Sequence, residues 1–523
     1  MRDYRSGPAS ELEAGPVTRL AEEVSFPYVG LEAGLDTGSP SMPIQPGNTI
    51  LRRLILGAAL ACGGEPATGP DVECGSATIL CPGDSLAAKV NAAPEGAAFR
   101  LRSGVYRLQQ FTPKMGQTFT GETGAVLVGA RLLTEWVPEG GHWVHLGQTQ
   151  EGEVRLAAGC QEARPGCALP EELFIDDRVL QRVTNAGDAG PGKWYFDYAS
   201  DKVYIADDPT GTRVEISVLP WAIYSAASNV TVEGLVVEKY ASPAQRGAIG
   251  FSGPGRAWVV RGNEVRWNHG AGIRAGDGMQ ILDNWVHHQG QIGIVGSGSD
   301  VLVQGNEIAF NNTAGFGPGP LGEAGATKLV FTDRLVVRDN FSHHNHGPGL
   351  WTDINNSDCL YENNRVEDND WRGIFHEISY GCVIRGNTVR RNGLSFPAGA
   401  SSFALEGAGI LVSNSAGVEV YGNVVEDNKN GIGAIDSDRG AGPRGPYDVA
   451  NLWLHDNVVR QRTGLAAGIV GNDLVFSGRQ NRFTGNRYVL GDTTLRQFRW
   501  LNADRTDEEW RGYGNDATGI FSR

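Results

Sequence analysis

The sequence predicts an all-β solenoid, a stack of coils built from short strands, with a small β-rich insertion near its N-terminal end. Three observations carry this. A motif of the form apolar-x-apolar-x-Gly/Asp-Asn-x-apolar recurs as VVRGNEV, ILDNWV, VLVQGNEI, LVVRDNFS, LYENNRV, VIRGNTV, VEVYGNVV and LWLHDNVV, and self-similarity of this kind marks a repeat architecture. Its asparagines fall at Asn263, Asn284, Asn306, Asn340, Asn364, Asn387, Asn423 and Asn457, with a basic step of 21 to 24 residues. That step is too short for a βαβ unit of roughly thirty residues and fits a coil of short strands stacked on the coil before it. Finally, 73 glycines and 25 prolines supply many turns, while 40% hydrophobic content leaves a sizeable core.

Along the chain, residues 1–61 read as a disordered or signal segment. Residues 1–41 are polar and Pro/Gly-rich ahead of Met42, and ILRRLILGAALAC ends at Cys62. Two arginines, a short apolar run and small residues before a cysteine look like a bacterial lipoprotein signal with Cys62 acylated, departing from the usual pattern at Ala59. The alternative is a short buried helix, since the run is too short to span a bilayer. Residues 62–135 are expected to hold an N-terminal cap and the first coils. Residues 136–220 form a β-rich insertion, because ELFIDDRVLQRV and then GKWYFDYASDKVYIADDP alternate strand and turn signals. Residues 221–490 carry the repeat. Residues 491–523 lose it and are expected to cap the last coil through RTDEEWRGYGNDATG.

Three of the steps between asparagines are longer, at 34, 36 and 34 residues, and contain the loop-like stretches GFGPGPLGEAG, SFPAGASSFALEG and DSDRGAGPRGP. Solenoid insertions map to surface loops, often at the binding face. The first two enter soon after an Asn-x-Gly turn and are expected to wall a groove above and below the coils of residues 346–380. The whole pattern resembles the right-handed parallel β-helix proteins over roughly residues 75–490, and CPGDSLAAKVNAAPEGAAFRLRSGVYR resembles their first coils, where an amphipathic helix caps the open end.

Charge and cysteines bound the partners and the compartment. With 60 acids against 45 bases the formal charge is -15, and no basic stripe is present, which argues against nucleic acid as a partner. Cys74 and Cys81 are seven residues apart, as are Cys160 and Cys167, and Cys359 and Cys382 are 23 apart, one repeat period. Three pairs close enough to bond point to an exported protein, periplasmic, at the cell surface or secreted. Membrane contact is expected only through a lipid anchor at Cys62.

The strand GLWTD, residues 349–353, returns as GIFHE, residues 373–377. Aligning the coils on Gly272-Ile273, Gly293-Ile294, Gly349-Leu350, Gly373-Ile374, Gly409-Ile410 and Gly468-Ile469 and alternating the side chains puts two columns outside. The first is Arg274, Val295, Trp351, Phe375, Leu411 and Val470; the second is Gly276, Ser297, Asp353, Glu377, Ser413 and Asn472. Acids occupy only two adjacent coils. Strands about 4.8 Å apart would hold the Asp353 and Glu377 carboxyl groups roughly 5 Å from each other, so that one keeps its proton while the other ionises. A retaining glycosidase requires a separation of roughly 5–5.5 Å, an inverting one roughly 6.5–9.5 Å. Trp351 and Phe375 beside the acids offer a sugar an apolar surface.

GLWTD and GIFHE, one coil apart, resemble the catalytic coils of the β-helix glycoside hydrolases related to β-xylosidases. That resemblance implies Asp353 as nucleophile and Glu377 as acid/base, with His376 standing where an apolar or small residue is expected. By alternation His376 points inward, as a core histidine would. Lys328, in EAGATKLVF, aligns with the glycine before the inward aliphatic residue and so faces the groove, where it could meet a substrate carboxylate, serve as a base or simply be solvated. Glu323 and Glu406, in the inserted loops, could close over a ligand. No HExxH or CxxC spacing supports zinc, and no cofactor is expected.

The leading expectation is a retaining glycoside hydrolase acting on a plant or microbial polysaccharide or oligosaccharide. A polysaccharide lyase or uronate epimerase is the alternative. It would work through Lys328, Arg274 and His376, with calcium to reconcile an acidic protein with a polyanion. A non-catalytic surface carbohydrate-binding solenoid is the third reading. Fold alone does not separate the three.

Overall fold

The computed structural model describes residues 77–523 apart from residues 156–158, 252, 254, 318–322, 396–403 and 492–494. Each repeat motif folds as two strands on either side of its asparagine, with a third strand ahead of them. Around Asn364 these are Leu350–Asp353, Cys359–Glu362 and Arg365–Glu367. The next coil repeats them as Ile374–Glu377, Tyr380–Arg385 and Thr388–Arg390. Like strands stack in parallel, Leu350 on Ile374, Cys359 on Cys382 and Arg365 on Thr388. Among the described residues this builds three long sheets, one of 12 strands and two of 13, in a parallel β-helix as predicted. The 12-stranded sheet, which contains Leu350–Asp353 and Ile374–Glu377, is called the site sheet below.

Aliphatic side chains from all three sheets fill one continuous interior, including Leu350, Ile374, Val366 and Ile384. The asparagines line up at one corner of the coils. Asn364 Nδ2 donates to Asn387 Oδ1 at 2.9 Å, and the same bond joins each asparagine from Asn263 to Asn457. A second ladder runs through Asn311, Asn345, Asn369, Asn392 and Asn428 at the next corner. These amides are buried and fully engaged, which is the condition under which polar groups are tolerated inside a protein.

The open N-terminal end is covered by an α-helix, Leu86–Ala92, whose N-cap Ser85 accepts from Ala88 N and which buries Leu86 and Val90. The insertion starts earlier than expected. Ala130–Leu133 pairs with Val214–Ser217 and so belongs to the insertion, which forms one small four-stranded and one five-stranded sheet. The coils also run further than expected: beyond residue 490, Phe498–Trp500 and Ile520–Ser522 still add to the long sheets. The helix Asp507–Gly512, started by a Thr506/Glu509 capping box, buries Trp510 against this end. Disulfides join Cys160 to Cys167 and Cys359 to Cys382 as anticipated. Cys74, Cys62 and the leader lie outside the described residues, as do parts of the first two inserted loops. Among the described residues no helix is long and apolar enough to cross a membrane.

Candidate functional site

Alternation along two neighbouring strands sets the faces. Leu350, Thr352, Ile374 and His376 are fully buried, with Leu350 and Ile374 in the interior cluster. Trp351 and Phe375 instead join an outer apolar cluster with Leu405, Leu411 and Ile435. Asp353 and Glu377 therefore emerge on the outer face, and they are direct register partners on the adjacent strands. Each acid is followed by an isoleucine in the left-handed region, Ile354 at φ 55° and Ile378 at φ 44°. Branched residues are strained there. A cluster of Ile378, Tyr380 and Tyr447, with Ile354 packed on it, holds the two corners in place.

The electrostatics separate the two acids. Lys328 Nζ lies 3.0 Å from Asp353 Oδ2, also pairs with Glu323, and sits 4.3 Å from the centre of the Trp351 ring. Burial pulls the Lys328 ammonium down, but the Asp353 and Glu323 carboxylates outweigh it and hold its pKa above the ordinary value. Asp353 Oδ1 and Trp351 Nε1 are buried and have no hydrogen-bond partner among the described residues. Glu377 is pushed up to about 7, first by burial and then by the Asp353 carboxylate, against the pull of Arg439, Arg372 and Lys328. Arg439 Nη1 bonds Glu377 Oε1 at 3.0 Å. Glu377 thus keeps its proton near neutrality, while Asp353 beside it is paired with the Lys328 ammonium.

Arg439 comes from the third inserted loop, which reaches back over the site. Tyr447 OH bonds Asn355 Oδ1 at 2.5 Å, Tyr380 OH bonds Gly445 O at 2.9 Å, and Arg444 meets Asp333 and Asp358. Sequence reasoning assigned the groove to the first two loops and missed this one, because its contacts span 62 to 111 residues and follow no repeat. Arg372 was also missed. It lies 4.3 Å from the centre of the Phe375 ring and forms a double hydrogen bond with Glu406 at 2.7 and 2.8 Å.

The structure corrects several expectations. Glu406 is buried and paired with Arg372 instead of projecting over the groove. Glu323 is likewise committed, to Lys328 and to Gln245 Nε2 at 3.0 Å. Lys328 pairs with Val295, and Leu329 with Thr352, which places Lys328 beside Trp351, two residues along from the predicted position but on the same face. Val470 pairs with Ile435, so it stands in the column of the acids and not in that of Trp351. His376 does not bind substrate. Its side chain points inward, Nδ1 lies 2.8 Å from Thr352 Oγ1, and burial pushes it down to about 4. Phe375 is 2% exposed and its ring stacks on Trp351 at 5.6 Å, so it is covered and does not offer the open apolar surface expected. Arg274 stands three strands from Asp353 in the stack, about 14 Å away at 4.8 Å per strand, and so does not sit beside the two acids.

Cys359, His376 and Cys382 converge behind the site sheet. The disulfide removes the two thiolates that a soft metal would need.

A family model described as a right handed beta helix region matches residues 247–425. Among solved structures the chain is similar to XylC in complex with xylose, at 17% identity over 84% of this chain and 82% of that chain, with a TM-score of 0.63. It is similar to the A-module of the Azotobacter vinelandii mannuronan C-5 epimerase AlgE6 at 12% identity, covering 83% and 93%, with a TM-score of 0.47. For the periplasmic alginate epimerase AlgG the values are 11% identity, 79% and 83% coverage, and a TM-score of 0.36. No curated protein matches the sequence. The stacked parallel sheets, the asparagine ladders and the matching family model make this chain a right-handed parallel β-helix protein.

Proposed function

We propose that the chain is a carbohydrate-active enzyme, a retaining glycoside hydrolase with Asp353 as nucleophile and Glu377 as acid/base, acting on a plant or microbial polysaccharide or oligosaccharide. The observation that carries this reading is the pairing of Asp353 with Glu377 across adjacent strands. Strand spacing of about 4.8 Å is near the roughly 5–5.5 Å of retaining enzymes and below the roughly 6.5–9.5 Å of inverting ones. The Glu377 carboxyl, raised to about 7, is protonated when a donor is needed. It gives that proton to the glycosidic oxygen as the bond to the anomeric carbon breaks, and Asp353 Oδ1 bonds that carbon. In the second step Glu377 takes a proton from water, the water oxygen bonds the anomeric carbon, and Asp353 is released. Lys328 stays bound to Asp353 Oδ2 and holds the nucleophile in place through both steps.

The same contacts weaken the elimination reading. A base must be unprotonated, yet Lys328 is held protonated between two carboxylates and His376 is sealed inside. XylC was solved with xylose, which supports a saccharide ligand for this chain too. The disulfides fit an oxidising compartment, periplasmic or extracellular; a lipid anchor at Cys62 would tether the protein there.

The test is to incubate the purified protein, Asp353→Ala and Glu377→Ala with neutral and uronate-containing oligosaccharides. Reducing ends and the ultraviolet absorbance of unsaturated uronates are both recorded. New reducing ends without absorbance, lost in both variants, are expected. Absorbance growth that survives Glu377→Ala and disappears in Lys328→Ala would overturn the hydrolase in favour of a lyase.

A further inference from the structure

A separate cavity of about 480 Å³ opens where the insertion meets the coils, a volume suited to a small ligand. Arg164 and Arg182 line it from the insertion, Trp267 and His269 from the coils. Two of these residues hold buried polar atoms with no hydrogen-bond partner among the described residues, His269 Nε2 and Arg182 Nη1. His269 is 1% exposed and its Nδ1 lies 2.7 Å from Glu172 Oε1. Nδ1 is taken up by that carboxylate, so Nε2 is the ring nitrogen left without a partner among the described residues. Arg182 bonds Tyr198 OH through Nη2 at 2.8 Å and lies 4.5 Å from the centre of the Trp194 ring, while its Nη1 stays 3.7 Å from Glu171 Oε2. A buried nitrogen without a partner is costly, and a ligand that meets His269 Nε2 removes that cost. The acids in the wall are already engaged: Glu172 by His269, and Asp177 by Lys239 and Arg213. Arg182 is held by Tyr198, Glu171 and Trp194, so what the cavity still offers is the Arg164 guanidinium, the unpartnered His269 Nε2 and the Trp267 ring.

We propose that this cavity binds a saccharide bearing a carboxylate, a uronate unit, apart from the Asp353 and Glu377 pair. Guanidiniums match carboxylates in geometry as well as charge. A ring hydroxyl, able to donate or accept, pairs with His269 Nε2, and the sugar carbons lie against Trp267. The site makes the insertion a recognition element for acidic sugars, whatever the chemistry at the site sheet.

The probes are D-glucuronate, D-glucose and acetate, titrated by calorimetry into the full chain and into Asp353→Asn, Arg164→Ala and His269→Gln, with melting curves to verify folding. Glucuronate is expected to bind the wild type and Asp353→Asn alike and to bind Arg164→Ala and His269→Gln at least tenfold more weakly. Glucose and acetate are each expected to bind at least tenfold more weakly than glucuronate. Arg164 is partly exposed, so Arg164→Ala remains informative if His269→Gln does not fold. The proposal is overturned if glucuronate fails to saturate, if Arg164→Ala binds it unchanged, or if glucose or acetate binds as well. Loss of binding in Asp353→Asn alone would place the ligand at the site sheet and also overturn it.

Discussion

Replacing Asp353 with asparagine removes one charge next to Glu377 while keeping nearly the same shape, so it isolates the coupling on which the proposed chemistry depends. Glu377 titrates at about 7 against an ordinary value of 4.5, through burial first and the Asp353 carboxylate second. At a strand spacing of about 4.8 Å and an effective dielectric of about 20, one unit charge is worth about 3.5 kcal/mol, or roughly 2.5 pKa units. That figure is an upper bound. Burial persists in Asp353→Asn and is the larger cause, so a fall of about one unit is expected, towards 6. The assay is a carbon-13 titration with carboxyl-labelled glutamate, the Glu377 signal being assigned by its loss in Glu377→Gln. A wild-type value near 4.5, or no downward movement in Asp353→Asn, would refute the claim that the two carboxyl groups are neighbours. Two signs follow from the raised value. Donation needs the protonated acid, so kcat/KM falls as pH rises through about 7. The folded chain also holds this proton better than the unfolded chain, so the stability associated with it is complete below about 4.5 and is lost as pH rises to about 7. Glu377→Gln should accordingly melt higher than the wild type at pH 8 by more than it does at pH 4.

Lys328→Met leaves the buried Asp353 carboxylate without its cation, and kcat/KM should drop by about 10²-fold. A loss of less than about threefold in kcat/KM would mean that the Lys328 charge does not support the nucleophile. Asn387→Ala removes the acceptor of two buried donors, Asn364 N and Asn364 Nδ2, each at 2.9 Å. At roughly 1–3 kcal/mol per unmet donor, stability read from urea unfolding should fall by about 2–6 kcal/mol, and a fall below about 0.5 kcal/mol would show that water or the neighbouring rungs take over.

Much of the site could be read in the sequence because a β-helix repeats its geometry once per coil. An asparagine that must fill the same corner in every layer returns at a fixed step, and the column from Asn263 to Asn457 is the bonded ladder that the step implied. The same counting aligned Asp353 with Glu377, since the two coils between Gly349 and Glu377 carry no insertion. It slipped by two residues at Lys328, just after the first inserted loop, and again at Val470, after the third. A loop of arbitrary length erases the count, and the strand that follows finds its place by packing. The slips are even, so each residue kept its face.

The sequence by itself determined the coil, the faces of its strands and the adjacency of the two acids, because all three follow from a period and an alternation that local side chains must obey. Only the tertiary structure decided the partners of those acids. Arg439 reaches Glu377 over 62 residues, Lys328 stands between Glu323 and Asp353, Arg372 takes Glu406, and His269 meets Glu172 over 97 residues. These pairings join loops and an insertion to coils far away in the chain, and no local rule fixes where a loop lands. Ion pairs and burial depend on distances in space, which exist only once the coils have stacked.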